Sequence, residues 1–304
     1  MQAAEASSGM HDMSERMKIL ITGATGRLGG VLARHYDLRY ELICPGRGML
    51  DLSRPESVNA SLLGMDYDLL INCAGITSPD ACAREPELAL RVNAESPAVM
   101  AAECKRRGVR MIQISTDYVF GGEVDAPLSE ETSARPVNHY GATKLAGEQA
   151  VLTVSTEALV ARVSWLFGGG NSFPDQMLRT AREGGELEAI ADKWSVPTSM
   201  HDIARWLEII WQKTPAVSGV LHLCNSGAAS WQSYAQTVLN LAQELGLLDH
   251  PAVVKGNRLD DFPHFIARRP RHTLMSNERL AGLLGEPVRT WQSALREWMA
   301  AETP

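Results

Sequence analysis

The sequence has few cysteines, no long apolar run and no apolar leader at its start. No stretch approaches the roughly 18 consecutive apolar residues that a membrane-spanning helix needs. Residues 1–16 mix Ala, Ser, His and acidic residues, without the apolar core of a secretory signal. The cysteines are odd in number and form no C-x-x-C pair, so we predict reduced thiols at Cys44, Cys73, Cys82, Cys104 and Cys224. These absences predict a cytoplasmic protein with no membrane partner and a disordered tail over residues 1–16.

Positive charge is also scarce. The 304 residues include 29 Lys and Arg against 36 Asp and Glu, which gives a formal net charge of −7. Such a chain lacks the broad positive field that attracts DNA or anionic lipid, so we expect no nucleic-acid partner. Small phosphorylated ligands remain open, because a few arginines suffice to bind them. None of the 8 histidines stands at ligand spacing from a second donor, so we predict no metal.

From Lys18 onward, short apolar runs alternate with amphipathic helical patterns, which is typical of βαβ units and a parallel sheet. We predict strands at Lys18–Thr22, Glu41–Cys44, Asp68–Ala74, Val109–Ser115 and Ala158–Val163. One long helix is predicted over Glu85–Arg107. The fold class is therefore α/β: a Rossmann-type doubly wound parallel sheet over residues 17–165. Residues 166–304, richer in Pro and Trp, are predicted to form a smaller, mostly helical substrate-binding lobe, and the chain is free to cross back between the two.

A glycine-rich turn follows the first predicted strand. Residues 22–29 read TGATGRLG, a G-x-x-G-x-x-G spacing that opens a helix. Gly23, Gly26 and Gly29 suit a tight turn whose backbone approaches a pyrophosphate at a helix N-terminus. The alternative is an ordinary strand-to-helix turn, but the strand before it and the helix after it favour dinucleotide binding.

The end of the second predicted strand bears on which dinucleotide binds. NAD enzymes usually carry an acidic residue there for the ribose 2′-hydroxyl, whereas an arginine accommodates the 2′-phosphate of NADP. Here Cys44 is followed by Pro, Gly and Arg47, with no acidic residue before Asp51. This favours NADPH, with NADH still open, because Arg47 would also suit a solvated loop.

Tyr140 and Lys144 stand four residues apart, on one face of a predicted helix. A phenol with a pKa of about 10 is a poor acid–base group at neutral pH, and a neighbouring ammonium favours the phenolate. The pair follows a strand that ends at Thr116, whose hydroxyl is placed to share a substrate oxygen with the tyrosine. This arrangement indicates proton transfer at a carbonyl group.

Two longer stretches carry a family resemblance: STDYVF at residues 115–120 and YGATKLAGE at residues 140–148. The chain resembles the extended short-chain dehydrogenases, and specifically the dTDP-4-dehydrorhamnose reductase group, from Met17 onward. Supporting stretches are Asn72–Gly75, Arg162–Trp165 and Arg269–Pro270.

The resemblance implies an NAD(P)H-dependent oxidoreductase that delivers hydride to the C4 ketone of a nucleotide-linked 4-keto-6-deoxy sugar. Tyr140 would donate the proton, Lys144 would tune it, and Thr116 would position the keto oxygen. Asp117 and Trp165 would touch the sugar nucleotide. The resemblance also implies that the dinucleotide is lined by Gly23, Gly26, Arg27, Leu28, Asp51, Leu52, Ala74 and Gly75. The loop analysis adds Gly29 and Arg47. Tyr140 and Lys144 are also predicted to contact the cofactor, the lysine through the nicotinamide ribose.

Some positions depart from the family pattern. Ile76 replaces an aromatic residue near the cofactor, and the family's D-Q-x-G-x-P-T loop reads DKWSVPT here. Lys193 and Ser195 thus replace a glutamine and a glycine, which fits a different sugar or base. Arg269 belongs to a basic cluster at residues 268–272 that suits either a substrate diphosphate or a solvated loop.

Two other functions and one assembly stay open. An epimerase or dehydratase would need further acid–base groups, and Tyr118 stands after Asp117 where dehydratases commonly pair that acid with a glutamate. An NAD(P)-binding regulatory subunit that resembles the methionine adenosyltransferase beta subunit would keep Tyr140 and Lys144 without turnover. A homodimer is compatible with the sequence.

Overall fold

The structure is a computed structural model that describes residues 16–262 and 264–301. The tail predicted over residues 1–16 therefore lies outside the described residues, except for Arg16. No helix in the described ranges is long and apolar enough to cross a membrane. The strands are β1 Lys18–Thr22, β2 Glu41–Ile43, β3 Leu69–Asn72, β4 Arg110–Thr116, β5 Leu159–Val163, β6 Leu166–Phe167, β7 Glu188–Ile190, β8 Trp194–Ser195, β9 Thr198–Ser199, β10 Gly219–His222, β11 Ala229–Ser230 and β12 Lys255–Asn257.

The helices alternate with these strands as a doubly wound fold requires. They are α1 Arg27–Tyr36, α2 Pro55–Leu63, α3 Pro79–Arg84, α4 Pro86–Leu90, α5 Ser96–Arg107, α6 His139–Val154, α7 Phe173–Arg182, α8 Met200–Lys213, α9 Trp231–Glu244, α10 Glu278–Leu284 and α11 Trp291–Ala301. A π-helical turn, Arg91–Glu95, joins α4 to α5, and 3₁₀ turns lie at Asp117–Val119 and Leu259–Asp261.

The central sheet has six strands in the order β10-β5-β4-β3-β1-β2, and all of its pairings are parallel. Its inner strands are largely buried and mostly apolar because helices cover both faces. Ile19 and Ile21 lie on the face of the sheet that α1 and α8 cover. Leu20, between them, lies on the face that α2 and α5 cover. The predicted Rossmann-type α/β fold is confirmed.

Strand β10 comes from the part of the chain that the sequence analysis assigned to the lobe. It pairs with β5, with Gly219 opposite Leu159. Helix α8, which precedes it, packs against α1. The chain therefore leaves the sheet after β5, returns to it through α8 and β10, and leaves again. The sequence analysis assigned no strand here, because the four residues GVLH begin with a glycine, which strands disfavour, and hold only two aliphatic side chains.

The lobe has a core of its own, formed where α7, α9 and α11 pack together. Tyr234, Trp291 and Leu295 are buried at its centre. Three two-stranded sheets join segments within this lobe: β6 with β9, β7 with β12, and β8 with β11. Phe167 of β6 belongs to this core although β6 follows directly on sheet strand β5, so the last sheet residues lead straight into the lobe.

The long helix predicted over Glu85–Arg107 is interrupted. Pro86 starts α4 after a non-helical Glu85, and the π-helical turn widens the helix before Ser96. Single π turns are rare and often occur at functional sites. Here the turn carries the buried side chain of Asn93, which donates from Nδ2 to the Ile76 carbonyl oxygen over 3.0 Å and accepts from the Ile76 N–H over 2.9 Å.

Candidate active site

A cavity of about 740 Å³ opens at the carboxyl ends of the parallel strands. Loops after β1, β2, β3 and β4 form its walls, together with the start of α6 and the end of β5. Open α/β sheets bind ligands at this edge. One end of the cavity holds the glycine turn, and the other holds Thr116, Tyr140 and Trp165. The fold thus brings the two motifs of the sequence analysis into one site.

The glycine turn fits a dinucleotide diphosphate. Gly23 has φ +66°, a conformation that side chains rarely adopt, and a Cβ on Gly29 would collide with the Gly23 carbonyl oxygen. Gly26 is the N-cap of α1 and supplies no side-chain acceptor. The first N–H groups of α1 therefore face the cavity uncapped, with the partial positive charge of a helix N-terminus.

All residues predicted to bind the dinucleotide lie along this cavity. The structure places in its lining Gly23, Gly26, Arg27, Leu28, Gly29, Arg47, Asp51, Leu52, Ala74 and Gly75. The carboxylate of Asp51 accepts from the Ser53 hydroxyl over 2.8 Å and from the Ser53 N–H over 3.0 Å, which lowers the pKa of Asp51. Arg47 also lines a smaller adjoining cavity with Asp51 and Arg54, where the Arg54 guanidinium lies 3.8 Å from the Asp51 carboxylate.

Helix α6 carries Tyr140 and Lys144, both buried on one face. Asn138 caps the helix by accepting from the Gly141 N–H over 2.8 Å. A Cβ on Gly141 would collide with the Tyr118 carbonyl oxygen, so the absence of a side chain lets the start of α6 pack directly against the 3₁₀ turn after β4. This close packing brings the Tyr140 phenol to Thr116.

The two catalytic candidates have shifted pKa values. Burial lowers the pKa of Lys144 to about 8, while the Glu148 carboxylate acts in the opposite direction. The Lys144 ammonium donates to the Ile114 carbonyl oxygen over 2.6 Å. Burial raises the pKa of Tyr140, and a hydrogen bond with the Thr116 hydroxyl works in the opposite direction. At neutral pH the phenol therefore keeps its proton, as a proton donor requires.

A buried ion pair fixes α6 to the sheet behind these groups. Arg162 of β5 donates from Nη2 to Glu148 Oε2 over 2.7 Å, and the Ser115 hydroxyl of β4 donates to Glu148 Oε1. Both charged side chains are buried. Because Glu148 follows Lys144 by one helical turn, this pair sets the position of the lysine relative to the strand end.

Thr116 and Asp117 stand at the end of β4. The Thr116 hydroxyl donates to Asp117 Oδ1 over 3.1 Å and accepts from the Tyr118 N–H over 3.2 Å. Asp117 Oδ2 accepts from the hydroxyls of Thr273 over 2.6 Å and Ser195 over 3.0 Å. Burial raises the pKa of Asp117, and Lys193 and the hydroxyl donors work against that rise. Asp117 is in the cavity lining.

Trp165 also lines the cavity, directly after β5. Its backbone has φ +38°, which is unusual for a residue other than glycine. The ring lies at 5.7 Å from the Trp231 ring and at 6.3 Å, stacked, from Tyr234. Its buried Nε1 has no hydrogen-bond partner in the described residues. The lobe core thus holds the indole at the cavity wall.

Arg269 lies outside the cavity lining. Its guanidinium makes a two-pronged ion pair with Asp80, at 2.9 Å and 3.1 Å, and lies over the Phe265 ring. The ion pair with Asp80 holds the Arg269 guanidinium away from the cavity lining. Its position therefore does not support the predicted contact with the substrate. The neighbouring Arg271 pairs with Asp192 and Asp260. The basic cluster seen in the sequence is largely neutralised by acidic residues that are distant along the chain.

Asn93 is a site-forming residue whose role the sequence analysis did not assign. Besides its bonds to Ile76, its Nδ2 donates to the Thr143 hydroxyl over 3.1 Å, so it ties the cofactor-side loop after β3 to the catalytic helix. Recognising it required the π-helical turn, which has no sequence signature. In the described residues, no group of three or more His, Cys, Asp or Glu side chains is placed to hold a metal ion.

The chain is similar to known proteins over almost its whole length. The profile of the RmlD substrate binding domain matches residues 17–303. A probable dTDP-4,6-dihydroxy-2-methyloxan-3-one 4-ketoreductase from Streptomyces antibioticus is 36% identical, over 95% of this chain and 98% of the relative. A dTDP-4-dehydrorhamnose reductase from Burkholderia thailandensis is 33% identical, over 92% of this chain and 97% of the relative.

Solved structures of dTDP-4-dehydrorhamnose reductases are also similar to this chain. The crystal structure of a dTDP-4-dehydrorhamnose reductase from Clostridium acetobutylicum has a TM-score of 0.86 and 31% identity, and covers 95% of this chain and 100% of that one. The corresponding enzyme of Bacillus anthracis, solved in complex with NADP, also has a TM-score of 0.86, at 27% identity and with the same coverage. The resemblance drawn from the two sequence stretches is confirmed. This chain belongs to the RmlD substrate binding domain family.

Proposed function

We propose that this protein is an NAD(P)H-dependent reductase of a nucleotide-linked 4-keto-6-deoxy sugar, with NADPH as the preferred cofactor. One observation carries the proposal: Tyr140, Lys144 and Thr116 meet at one end of a cavity whose other end is an uncapped, glycine-lined helix N-terminus. Membership of a family with named ketone reductases supports it.

The chain's own residues account for cofactor binding. The N–H groups at the start of α1 bind the diphosphate, and the glycines allow it to approach the backbone. Arg47 binds the ribose 2′-phosphate of NADPH as a charge-assisted hydrogen-bond donor. The NADP complex of the Bacillus anthracis relative supports this preference. The bound reduced nicotinamide supplies hydride to the C4 ketone.

The proton comes from Tyr140. Its pKa is raised by burial, so the phenol is protonated at neutral pH and donates to the developing alkoxide. The pKa of Lys144, about 8, lies above neutral pH, so the ammonium is charged and stabilises the phenolate left after the transfer. Thr116 holds the keto oxygen beside the phenol. Each group therefore acts in the protonation state that its surroundings favour.

The substrate assignment is the finer part of the proposal. The relatives are named as reductases of dTDP-linked ketones, so we infer a dTDP-linked sugar, with Asp117 and Trp165 in contact with it and residues 166–304 as the substrate-binding lobe. A homodimer and a cytoplasmic location belong to the same proposal. Gel filtration with light scattering would test the homodimer.

The test is reduction itself. We would follow the absorbance of NADPH, and separately of NADH, while adding a dTDP-4-keto-6-deoxy sugar, with Tyr140→Phe as the control. Oxidation of NADPH that depends on the sugar and is abolished by Tyr140→Phe is the expected result. Tight dinucleotide binding without oxidation would contradict a reductase of this substrate and favour a regulatory subunit.

A further inference from the structure

The two departures in the DKWSVPT loop, Lys193 and Ser195, act on the same carboxylate. Ser195 Oγ donates to Asp117 Oδ2 over 3.0 Å. Lys193 exerts the strongest charge effect on Asp117. A glutamine and a glycine at these positions would supply neither the charge nor the hydroxyl. The departures therefore change the surroundings of one cavity-lining acid together rather than two places separately.

Lys193 lies behind the cavity wall. Its side chain has no solvent exposure, and its ammonium donates to the Pro270 carbonyl oxygen over 2.8 Å. The ammonium lies 4.9 Å from the Tyr118 ring and 5.6 Å from the Trp165 ring, and both rings line the cavity. A buried ammonium is costly without an opposite charge nearby. The nearby Arg269 cannot supply one, because it is itself a cation and is paired with Asp80.

Asp117 is the anion that compensates Lys193. Burial lowers the pKa of Lys193 to about 8, and Asp117 raises it again, while Lys193 in turn counteracts the rise that burial causes in the pKa of Asp117. The two side chains form no direct salt bridge within 4.0 Å, so their coupling acts through the low-dielectric interior. Each charge favours the ionised form of the other group.

The charge on Asp117 reaches the reaction through Thr116. The Thr116 hydroxyl has one proton and two neighbours able to accept it, Asp117 Oδ1 at 3.1 Å and the Tyr140 oxygen. A charge-assisted bond is stronger than a neutral one. While Asp117 is ionised, its bond with Thr116 is charge-assisted and holds the Thr116 side chain beside Tyr140, from where the hydroxyl can turn to a keto oxygen. A protonated Asp117 would hold that side chain less firmly.

We propose that Lys193 is a positioning residue for the reduction: it is the counter-ion that stabilises the ionised form of Asp117, and through Asp117 it holds the Thr116 side chain beside Tyr140. The kinetic part rests on the proposed function, whereas the coupling of Lys193 to Asp117 does not. The other titratable groups that interact with this pair are Tyr118, Tyr140, Cys224 and Arg269.

The coupling is tested without turnover. In protein labelled with ¹³C-carboxyl aspartate, the Asp117 signal, assigned with Asp117→Asn, is titrated in the wild type, Lys193→Met and Lys193→Gln. Without the ammonium, the midpoint is expected to move to higher pH by about one pH unit or more, because an opposite charge nearby lowers a carboxyl pKa by this order. Lys255→Met, at an exposed lysine, is the matched control and leaves the midpoint unchanged. An unchanged midpoint in folded Lys193 variants overturns the proposal.

Ser195→Ala gives a second, smaller perturbation in case the Lys193 variants do not fold. It removes one donor to Asp117 and is expected to move the midpoint in the same direction by less. An unchanged midpoint in this variant would contradict the idea that the two departures act on one group. The signal reports on Asp117 itself, so a loss of packing elsewhere does not imitate the result.

The kinetic arm uses the pH profile of kcat with NADPH and the keto sugar. The acidic limb of Lys193→Met is expected to move to higher pH in parallel with the Asp117 midpoint, and the rate recovers as pH rises, with the KM for NADPH unchanged. A uniform loss of rate at every pH, in a folded variant, overturns the positioning role. If the wild type shows no turnover, the proposed function fails, and the carboxyl titration still decides the coupling.

Discussion

The two ends of the cavity are built in different ways. The cofactor end consists largely of backbone: glycines without side chains, an uncapped helix N-terminus and a loop whose Asp51 is held by its own neighbour Ser53. The substrate end consists of side chains from distant parts of the chain, with Asp117 held by Ser195 and Thr273. A backbone site needs only local sequence, whereas a side-chain site needs the whole fold. The first is general for dinucleotides, and the second sets which substrate is accepted.

The largest expected effect lies where the two ends meet. Tyr140→Phe removes the proton donor and keeps the buried ring, so kcat is expected to fall by about 10²–10⁴-fold, with NADPH binding and thermal stability unchanged. Initial rates under saturating NADPH measure the effect, and fluorescence titration checks binding. A rate within about twofold of the wild type would show that another group donates the proton.

The next largest effect is expected at the buried ion pair of Glu148 with Arg162, which fixes α6 to the sheet. Glu148→Gln leaves Arg162 buried with no anion, and breaking such a pair costs about 3–5 kcal/mol in the free energy of unfolding. Denaturant unfolding measures it. The control is Glu244→Gln, which breaks the exposed pair with Arg296 and is expected to cost about 1 kcal/mol or less. Equal costs for the two variants would contradict the view that burial of the Glu148 pair fixes α6.

Arg47 lines the cofactor end of the cavity, whereas Arg269 lies outside the cavity lining. Comparing variants of the two arginines tests which of them binds the cofactor. Arg47→Met is expected to raise the KM for NADPH about tenfold or more while leaving NADH unaffected, because only NADPH carries the 2′-phosphate. Arg269→Met is expected to change neither, since Asp80 holds that guanidinium outside the cavity. Initial rates with each cofactor measure both. An equal loss with NADPH and NADH in Arg47→Met would show that the arginine does not distinguish them.

The same contrast explains how much was predictable. The sheet strands β1 to β5 and the positions of the glycine turn and of Tyr140 and Lys144 follow from local periodicity and spacing, and the structure places all of these as expected. Strand β10 was missed because it begins with Gly219 and holds only two aliphatic side chains. The ion pairs of Arg269 with Asp80 and of Arg271 with Asp192 join residues far apart in sequence, so a basic cluster looked like a binding site until the fold supplied its acids.

The smallest expected effect concerns Asn138, whose side chain contacts both the start of α6 and the loop at Arg268. Its side chain caps α6 by accepting from the Gly141 N–H, and its Nδ2 donates to the Arg268 carbonyl oxygen over 2.7 Å. Asn138→Ala loses both bonds and is expected to cost about 1 kcal/mol in the free energy of unfolding, the usual value of an N-cap.

Asn138→Asp separates the two bonds of this residue. A carboxylate caps a helix as well as an amide but has no donor for the Arg268 carbonyl, so stability is expected to return to within about 0.5 kcal/mol of the wild type. Hydrogen exchange is then expected to rise at residues 264–269 and to stay unchanged in α6. Faster exchange in α6 as well would show that the loop contact, and not the cap, holds the catalytic helix. The loop contact at the substrate end would then stabilise α6, the helix whose Tyr140 and Lys144 serve both ends of the cavity.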